Sequence, residues 1–211
     1  MIVIQPLVCG AYAENAYLVF DENRPDLLVI DPGDDLPALE KAVRQSGKRL
    51  ADILLTHGHF DHTLAAAPLR EKYGARVHVH PLDAHMLSLP GAAVMNAAVS
   101  RLPFAPIRPD APFPAEERFE LTLCGMTFEG LHTPGHTPGG VSLILPAAQA
   151  VFTGDTLFAF GCGRCDLPGG DPAALAASLR ALLALPGTLT AYAGHGGADT
   201  MAAIAARWTV N

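Results

Sequence analysis

The sequence predicts an α/β protein in which two mixed β-sheets pack together, with helices on the outside. Short β-rich runs occur in clusters, and helical patterns lie before and after these clusters. A single doubly wound sheet would instead show regular alternation of strands and helices. Half of the residues are hydrophobic and only 17% are charged, which is typical of a compact globular protein.

Nine runs carry the strand signal, and three longer segments carry the helix signal. The predicted strands are 15–20, 27–31, 52–56, 76–80, 119–125, 126–132, 140–145, 150–155 and 189–194. The predicted helices are 35–47, 63–74 and 171–185. Leucines in the last segment recur along one stripe, with Asp171 as the N-cap and Pro172 at the first helical position. A short helix is possible after Pro81, and the Pro- and Ala-rich stretch from Pro90 to Pro114 predicts an irregular lid or binding loop.

Composition limits the domain count, the partners and the compartment. No linker or repeat divides the chain, so a single domain covering 1–211 is expected. The net charge of −7 and the lack of Lys/Arg runs argue against nucleic acid. No stretch is long and apolar enough for a membrane span, and the apolar N-terminus lacks the features of a signal peptide, so we interpret it as strands.

The four cysteines do not form a disulfide framework, so a reducing cytoplasm is expected. Cys162 and Cys165 form a C-x-x-C pair, which leaves a redox or zinc-ribbon site as an alternative. A zinc ribbon needs a second pair, whereas Cys9 and Cys124 are single and far apart in sequence.

The stretch "LLTHGHFDHT" places His57, His59, Asp61 and His62 on the turn between a predicted strand and a predicted helix. The carboxyl end of a strand is where ligands bind in α/β architectures. The alternative is a solvated loop that happens to be rich in histidine.

Three later residues repeat this placement at strand ends. His136 lies in "HTPGHTPGG", Asp155 ends "AVFTGD", and His195 follows "LTAYAG". Each alone would most often be a cap or a loop residue. Seven ligands from four strand ends are what a two-metal site requires, since each ion needs three or four protein ligands and an open position for water.

The motifs "THGHFDH", "HTPGHTPGG", "FTGD" and "AGHG" resemble the metallo-β-lactamase superfamily, whose fold is a four-layer αβ/βα sandwich. The stretch "TGDTLFAFGCGRCDLPGGD" is similar to the glyoxalase II branch (hydroxyacylglutathione hydrolases) and to persulfide dioxygenases. The resemblance implies two sets of ligands with one shared carboxylate. They are His57, His59 and His136 for the first metal, Asp61, His62 and His195 for the second, and Asp155 as the bridge.

The resemblance implies a dinuclear thioesterase that hydrolyses S-lactoylglutathione or a related acyl thiol by attack of a bridging hydroxide. Asp61 and Asp155 are the predicted catalytic carboxylates. Two divalent ions are expected, Zn²⁺ first, because hydrolysis needs no redox change; iron or manganese also suits a site of nitrogen and oxygen ligands. Arg164 matches a basic position that contacts glutathione carboxylates in relatives; its alternative is a surface arginine in a Gly-rich turn. The chain resembles the short type, without the C-terminal helical domain.

Other functions remain open on this sequence. A mononuclear iron persulfide dioxygenase would use His57, His136 and Asp155, and a non-enzymatic metal-binding protein would also need a ligand set. β-Lactamase or lactonase activity is compatible with the fold, because function depends on the site and its loops.

Further residues near the motifs are expected to support the site or to be neutral. Asp31 is predicted to orient the ligand loops, with a strand-end cap as the alternative. The remaining histidines are predicted not to be ligands, and the first three of them to be ordinary surface or partly buried residues: His78, His80, His85 and His132. Gly58 stands where many relatives place a third His or a Cys; because that position is not a ligand in this branch, a glycine there is expected to be harmless.

Overall fold

Two β-sheets face each other in the computed structural model, which describes residues 1–88, 100 and 102–208. The strands are β1 (Ile2–Cys9), β2 (Glu14–Asp21), β3 (Asp26–Ile30), β4 (Arg49–Leu54), β5 (Arg76–His78), β6 (Arg118–Leu123), β7 (Met126–His132), β8 (Val141–Leu145), β9 (Ala150–Gly154), β10 (Thr190–Ala193) and β11 (Asp199–Thr200). The helices are α1 (Leu36–Ser46), α2 (Ala66–Tyr73), α3 (Pro172–Leu183) and α4 (Met201–Trp208).

Both sheets are mixed, as the sequence predicts. The first has the order β1-β2-β3-β4-β5, and the second has the order β11-β10-β9-β8-β7-β6. In the first sheet, β3, β4 and β5 run parallel and the remaining pairs are antiparallel. In the second sheet only β9 and β10 run parallel.

Side chains alternate between the two faces of each sheet, so each sheet packs against helices on its outer face and against the other sheet on its inner face. This gives four layers. In β3, Leu27 and Val29 pack with α1 and α2 on the outer face of the first sheet, whereas Leu28 and Ile30 point into the core between the sheets. Val151 of β9 packs with α3 and α4 on the outer face of the second sheet. Because successive strand residues point to opposite faces, these strands are apolar throughout, and the αβ/βα sandwich predicted from sequence is confirmed.

Local signals explain where some elements begin and end. Asp171 caps α3 by accepting hydrogen bonds from the amides of Ala173 (2.8 Å) and Ala174 (3.1 Å), as the sequence predicts. The predicted strand 119–125 ends early, at Leu123. Cys124 and Gly125 have φ of 51° and 75° and form the tight turn of the β6–β7 hairpin.

One prediction near the ligand-rich turn needs correction. Helix α2 begins at Ala66 rather than at residue 63, and residues 60–62 before it form a 3-10 turn. The short helix expected after Pro81 is confirmed as a 3-10 helix, Ala84–Ser88. The predicted loop from Pro90 to Pro114 lies partly outside the described residues; its described part, residues 100 and 102–114, contains no helix or strand. None of the described helices is long and apolar enough to span a bilayer.

Candidate metal centre

The seven predicted ligands follow strands that end at one edge of the sandwich. Strand β8 runs antiparallel to both β7 and β9, and β10 runs parallel to β9, so β7, β9 and β10 share one direction. Their carboxyl ends therefore lie at the same edge. The other sheet joins them there, because the Val141 amide donates to the Thr56 carbonyl (2.8 Å) and the Asn15 amide donates to the Gly194 carbonyl (2.8 Å).

One group of three side chains, called here the first trio, consists of His57, His59 and His136. Their ligand-competent nitrogens lie within 4.8 Å of one another. Nδ1 of His59 lies 2.8 Å from Nε2 of His136. Nδ1 of His136 donates to the Arg164 carbonyl at 2.6 Å, which leaves its Nε2 facing the trio.

A second trio consists of Asp61, His62 and His195, again with candidate ligand atoms within 4.8 Å of one another. Nε2 of His195 lies 3.5 Å from Asp61 Oδ2, and its Nδ1 donates to the Tyr12 carbonyl at 3.1 Å. The structure thus brings together all three residues that the family resemblance implies for one ion.

Asp155 lies between the two trios. Its Oδ1 is 3.4 Å from His62 Nε2, and its Oδ2 is 3.5 Å from His136 Nε2 and 3.6 Å from His195 Nε2. A single carboxylate therefore contacts members of both trios. Its position depends on Gly194, because a Cβ there would lie 2.3 Å from Asp155 Oδ1.

Asp31 orients one histidine directly and a second one through a threonine. Its Oδ2 accepts from Nδ1 of His62 at 3.2 Å and from the Thr56 hydroxyl at 2.6 Å. The same threonine oxygen accepts from Nδ1 of His57 at 3.1 Å. With Nδ1 as the donor, each ring directs the lone pair of Nε2 into the centre. These contacts support the prediction that Asp31 positions the ligand loops.

Buried polar atoms that have no hydrogen-bond partner indicate whether this group of residues is suited to binding cations. Among the described residues, Nε2 of His57, Nε2 of His62 and Oδ1 of Asp155 are buried and make no hydrogen bond. Such atoms are rare because an unmatched buried polar group is costly. Imidazole nitrogens and carboxylate oxygens are ligands for divalent metals such as zinc, so the donor set fits metal ions.

The two trios differ in their protonation chemistry. Burial lowers the pKa of His59 to about 4 and that of His57 well below its ordinary value, and neighbouring histidines add to both shifts. In the second trio, burial opposes the charge on His62, but the carboxylates of Asp155 and Asp61 outweigh it and raise its pKa well above the ordinary value. His57 and His59 thus present neutral nitrogens, whereas the carboxylates around His62 favour a positive charge in the second trio.

Glu14 is a feature that the sequence reasoning missed. Its side chain is 1% exposed, and neither carboxylate oxygen has a hydrogen-bond partner among the described residues. Oε1 lies 3.7 Å from Nδ1 of His62, and burial raises the pKa of Glu14 well above its usual range. The sequence feature that could have identified it is a single acidic residue directly before the apolar run "NAYLVF".

Arg164 stands beside the centre, with its carbonyl and its guanidinium in different surroundings. Its carbonyl holds His136, whereas its guanidinium is exposed and pairs with Asp166 through two contacts of 2.6 and 2.7 Å. The neighbouring thiols of Cys162 and Cys165 are free and pack partly buried against the cluster under α3. No cysteine belongs to a candidate metal group within the described ranges.

The histidines predicted not to be ligands stay outside the candidate metal groups of the described chain. The prediction of surface or partly buried positions is wrong for His78 and His80, which are buried, at 5% and 2% exposed. His78 lies 2.8 Å from Asp52 Oδ1, and His80 stacks on His132 with ring centroids 4.3 Å apart. These partners allow a polar ring to be buried away from the metal centre.

Comparison with known proteins agrees with this geometry. The sequence model of the metallo-β-lactamase superfamily matches residues 9–195. The chain is 36% identical over 201 residues to the hydroxyacylglutathione hydrolase GloC of Haemophilus influenzae, covering 94% of this chain and 92% of that protein. It is also 34% identical to a hydroxyacylglutathione hydrolase of Brucella ovis, over 91% of this chain but only 65% of that protein.

Two solved structures are similar over nearly the whole chain. The crystal structure of TTHA1623 in a di-iron-bound form is 41% identical, with a TM-score of 0.79 and coverage of 94% of this chain and 96% of that one. The BLEG-1 B3 metallo-β-lactamase is 32% identical, with a TM-score of 0.84 and coverage of 95% of both chains.

Proposed function

Because the chain belongs to the metallo-β-lactamase superfamily, whose model matches residues 9–195, we propose that it is a dinuclear metal-dependent thioesterase. The proposed substrate is S-lactoylglutathione or a related acyl thiol, in line with the names of the hydroxyacylglutathione hydrolases that it resembles. The observation that carries the dinuclear assignment is Asp155, whose two oxygens contact histidines of both trios.

In this proposal the first trio holds one ion, the second trio holds the other, and Asp155 bridges them. When bound, two divalent ions supply a nucleophile at neutral pH by lowering the pKa of water, and they polarise the carbonyl that is attacked. Zinc is the proposed metal, with iron or manganese as substitutes on the same ligands.

The chain's own residues prepare the centre for this chemistry. Burial opposes the charges of Asp61 and Asp155, but His62 and other nearby histidines outweigh it and hold the pKa of both carboxyls below the usual value. Both carboxylates therefore remain ionised at neutral pH and can accept hydrogen bonds from an attacking water. Arg164 lies on the loop beside His136, where its guanidinium can meet a carboxylate of glutathione.

Elemental analysis of the purified protein, paired with activity assays, tests the proposal. We expect close to two metal ions per chain, hydrolysis of S-lactoylglutathione, loss of activity on exhaustive chelation and recovery when zinc is restored. One tightly bound iron per chain, together with oxygen uptake when glutathione persulfide is added, would show that the protein is a dioxygenase and not a hydrolase.

The similarity to BLEG-1 gives a specific reason for a second substrate class, the β-lactams. A cephalosporin should therefore be assayed beside the thioester on the same preparation. Faster turnover of the cephalosporin than of any thioester would assign the site to β-lactam hydrolysis.

A further inference from the structure

The carboxylate of Asp83 joins two separate loops beside the metal centre. Asp83 is fully buried in the turn that follows β5. Its Oδ2 accepts hydrogen bonds from the Gly58 amide at 3.0 Å and from the Thr137 hydroxyl at 2.7 Å. Its Oδ1 accepts from the Gly139 amide at 2.6 Å.

The two glycines allow this close approach. A Cβ at Gly139 would lie 2.7 Å from Asp83 Cγ, and a Cβ at Gly58 would lie 2.8 Å from Met86 Cβ and 3.0 Å from the Asp83 carbonyl. Real Cβ atoms essentially never approach neighbours below 3.0 Å. Any side chain at Gly58 would therefore displace the segment that carries Asp83.

The residues that Asp83 holds are the direct neighbours of the first trio. Gly58 lies between His57 and His59, and Thr137 follows His136. Within the described residues, the hydrogen bonds of the Asp83 carboxylate all go to these two loops and none goes to the second trio.

We propose that Asp83 is the positioning residue of the first trio: it fixes the loop of His57 and His59 against the loop of His136, so that three ring nitrogens converge on one ion. The inference rests on the proposed metal centre. Three donors from two loops on one buried carboxylate set the distance between those loops, and ligands must be held to within a fraction of an ångström to bind a metal well.

Substitution of Asp83 disturbs this arrangement in a defined way. Asp83→Asn keeps the size of the side chain, but its NH₂ group must face the amide donor of either Gly58 or Gly139. Two donors then oppose each other, and a buried N–H loses its acceptor. Asp52→Asn is the matched control, because Asp52 is also a buried carboxylate (1% exposed) and its described partners, Arg76, His78 and Cys124, are not predicted ligands.

The test is a zinc titration of the metal-free proteins by calorimetry, together with their melting temperatures. For wild type we expect two binding events per chain. Asp83→Asn should weaken one event by roughly tenfold or more, the size seen when outer partners of metal ligands are lost, and should spare the other. Asp52→Asn should lower the melting temperature without changing either event.

A second pair of variants keeps the test independent of gross misfolding. Thr137→Val removes a single contact to Asp83 and should weaken the same binding event less, whereas Thr137→Ser keeps the hydroxyl and should bind as wild type does. Unchanged events in Asp83→Asn, or equal weakening of both, would overturn the positioning role. Absence of zinc binding by wild type would instead overturn the proposed function.

Discussion

Nδ1 of His59 lies 2.8 Å from Nε2 of His136, although the two residues are 77 positions apart in the chain. At this distance the two nitrogens need a proton or a cation between them, because two lone pairs would repel. Burial and the neighbouring His136 lower the pKa of His59 to about 4, so at neutral pH the ring keeps a single proton, which on Nδ1 can be donated to Nε2 of His136. In the proposed centre a metal ion takes the place of that proton between the two rings.

Asp155→Asn should weaken both metal sites, because it removes a negative charge that we propose two cations share. We expect a loss of metal affinity larger than the roughly 10- to 100-fold typical of an outer partner, measured by elemental analysis after dialysis. His78→Ala is the control: it breaks the contact with Asp52 and should lower stability, while metal content stays at the wild-type level. Equal metal loss in the two variants would show that the ligand assignment is wrong.

Gly194→Ala should damage the metal centre without changing any ligand. The new Cβ would lie 2.3 Å from Asp155 Oδ1 and 2.6 Å from His62 Cε1, so the bridging carboxylate has to move. We expect reduced zinc content and reduced hydrolysis. Gly197→Ala is the matched control, since a Cβ there meets nothing within 4 Å; both variants retaining full metal would contradict the proposed position of Asp155.

Arg164→Ala should raise KM for S-lactoylglutathione roughly tenfold while sparing kcat, because a contact with a remote carboxylate is made equally in the ground and transition states. The carbonyl that holds His136 is retained in the variant. A small thioester without carboxylates should be hydrolysed as fast as by wild type. Similar losses on the two substrates would mean that the side chain supports the loop rather than the substrate.

Asp166→Ala extends this prediction in the opposite direction. The guanidinium of Arg164 is already engaged by Asp166 in two short contacts, so a substrate carboxylate must displace it. Removing Asp166 should lower KM for the glutathione thioester and leave the small thioester unaffected. A rise in KM would instead show that the pair acts as one unit in holding substrate.

Buried His80 should make stability depend on pH. Burial and the stacked His132 lower its pKa from 6.5 to about 4, so the folded protein holds it neutral while the unfolded chain takes up a proton. Above about pH 6.5 His80 is neutral in both states and does not affect the free energy of unfolding. As the pH falls from about 6.5 towards 4, protonation of the unfolded chain lowers that free energy by up to about 1.4 kcal/mol per pH unit. Denaturant unfolding of metal-free His80→Gln should therefore show a shallower decline than wild type across this range.

His85→Gln serves as the comparison, because His85 is exposed. Its unfolding free energy should follow the wild-type pH dependence. If His80→Gln and wild type decline in parallel, other groups must account for the acid sensitivity.

Much of the secondary structure could be predicted from local sequence patterns, because strand and helix formation depend largely on interactions between residues close together in the chain. Apolar runs predicted the central strands, and the stripe of leucines with Asp171 before it predicted α3. The hairpin turn at Cys124 and the late start of α2 were missed, because in each case the backbone departs from regular structure at a point where the residues on both sides look continuous.

The sequence by itself determined the chemistry available at the centre: three histidines and an aspartate in one turn, and three more ligand-competent residues at later strand ends. Only the tertiary structure decided that two sheets place those ends at one edge, that Asp155 faces both trios, and that Asp83 joins the loops of the first trio. The reason is physical. Ligand type is a property of each side chain, whereas convergence depends on strand direction, sheet pairing and contacts between residues far apart in the chain.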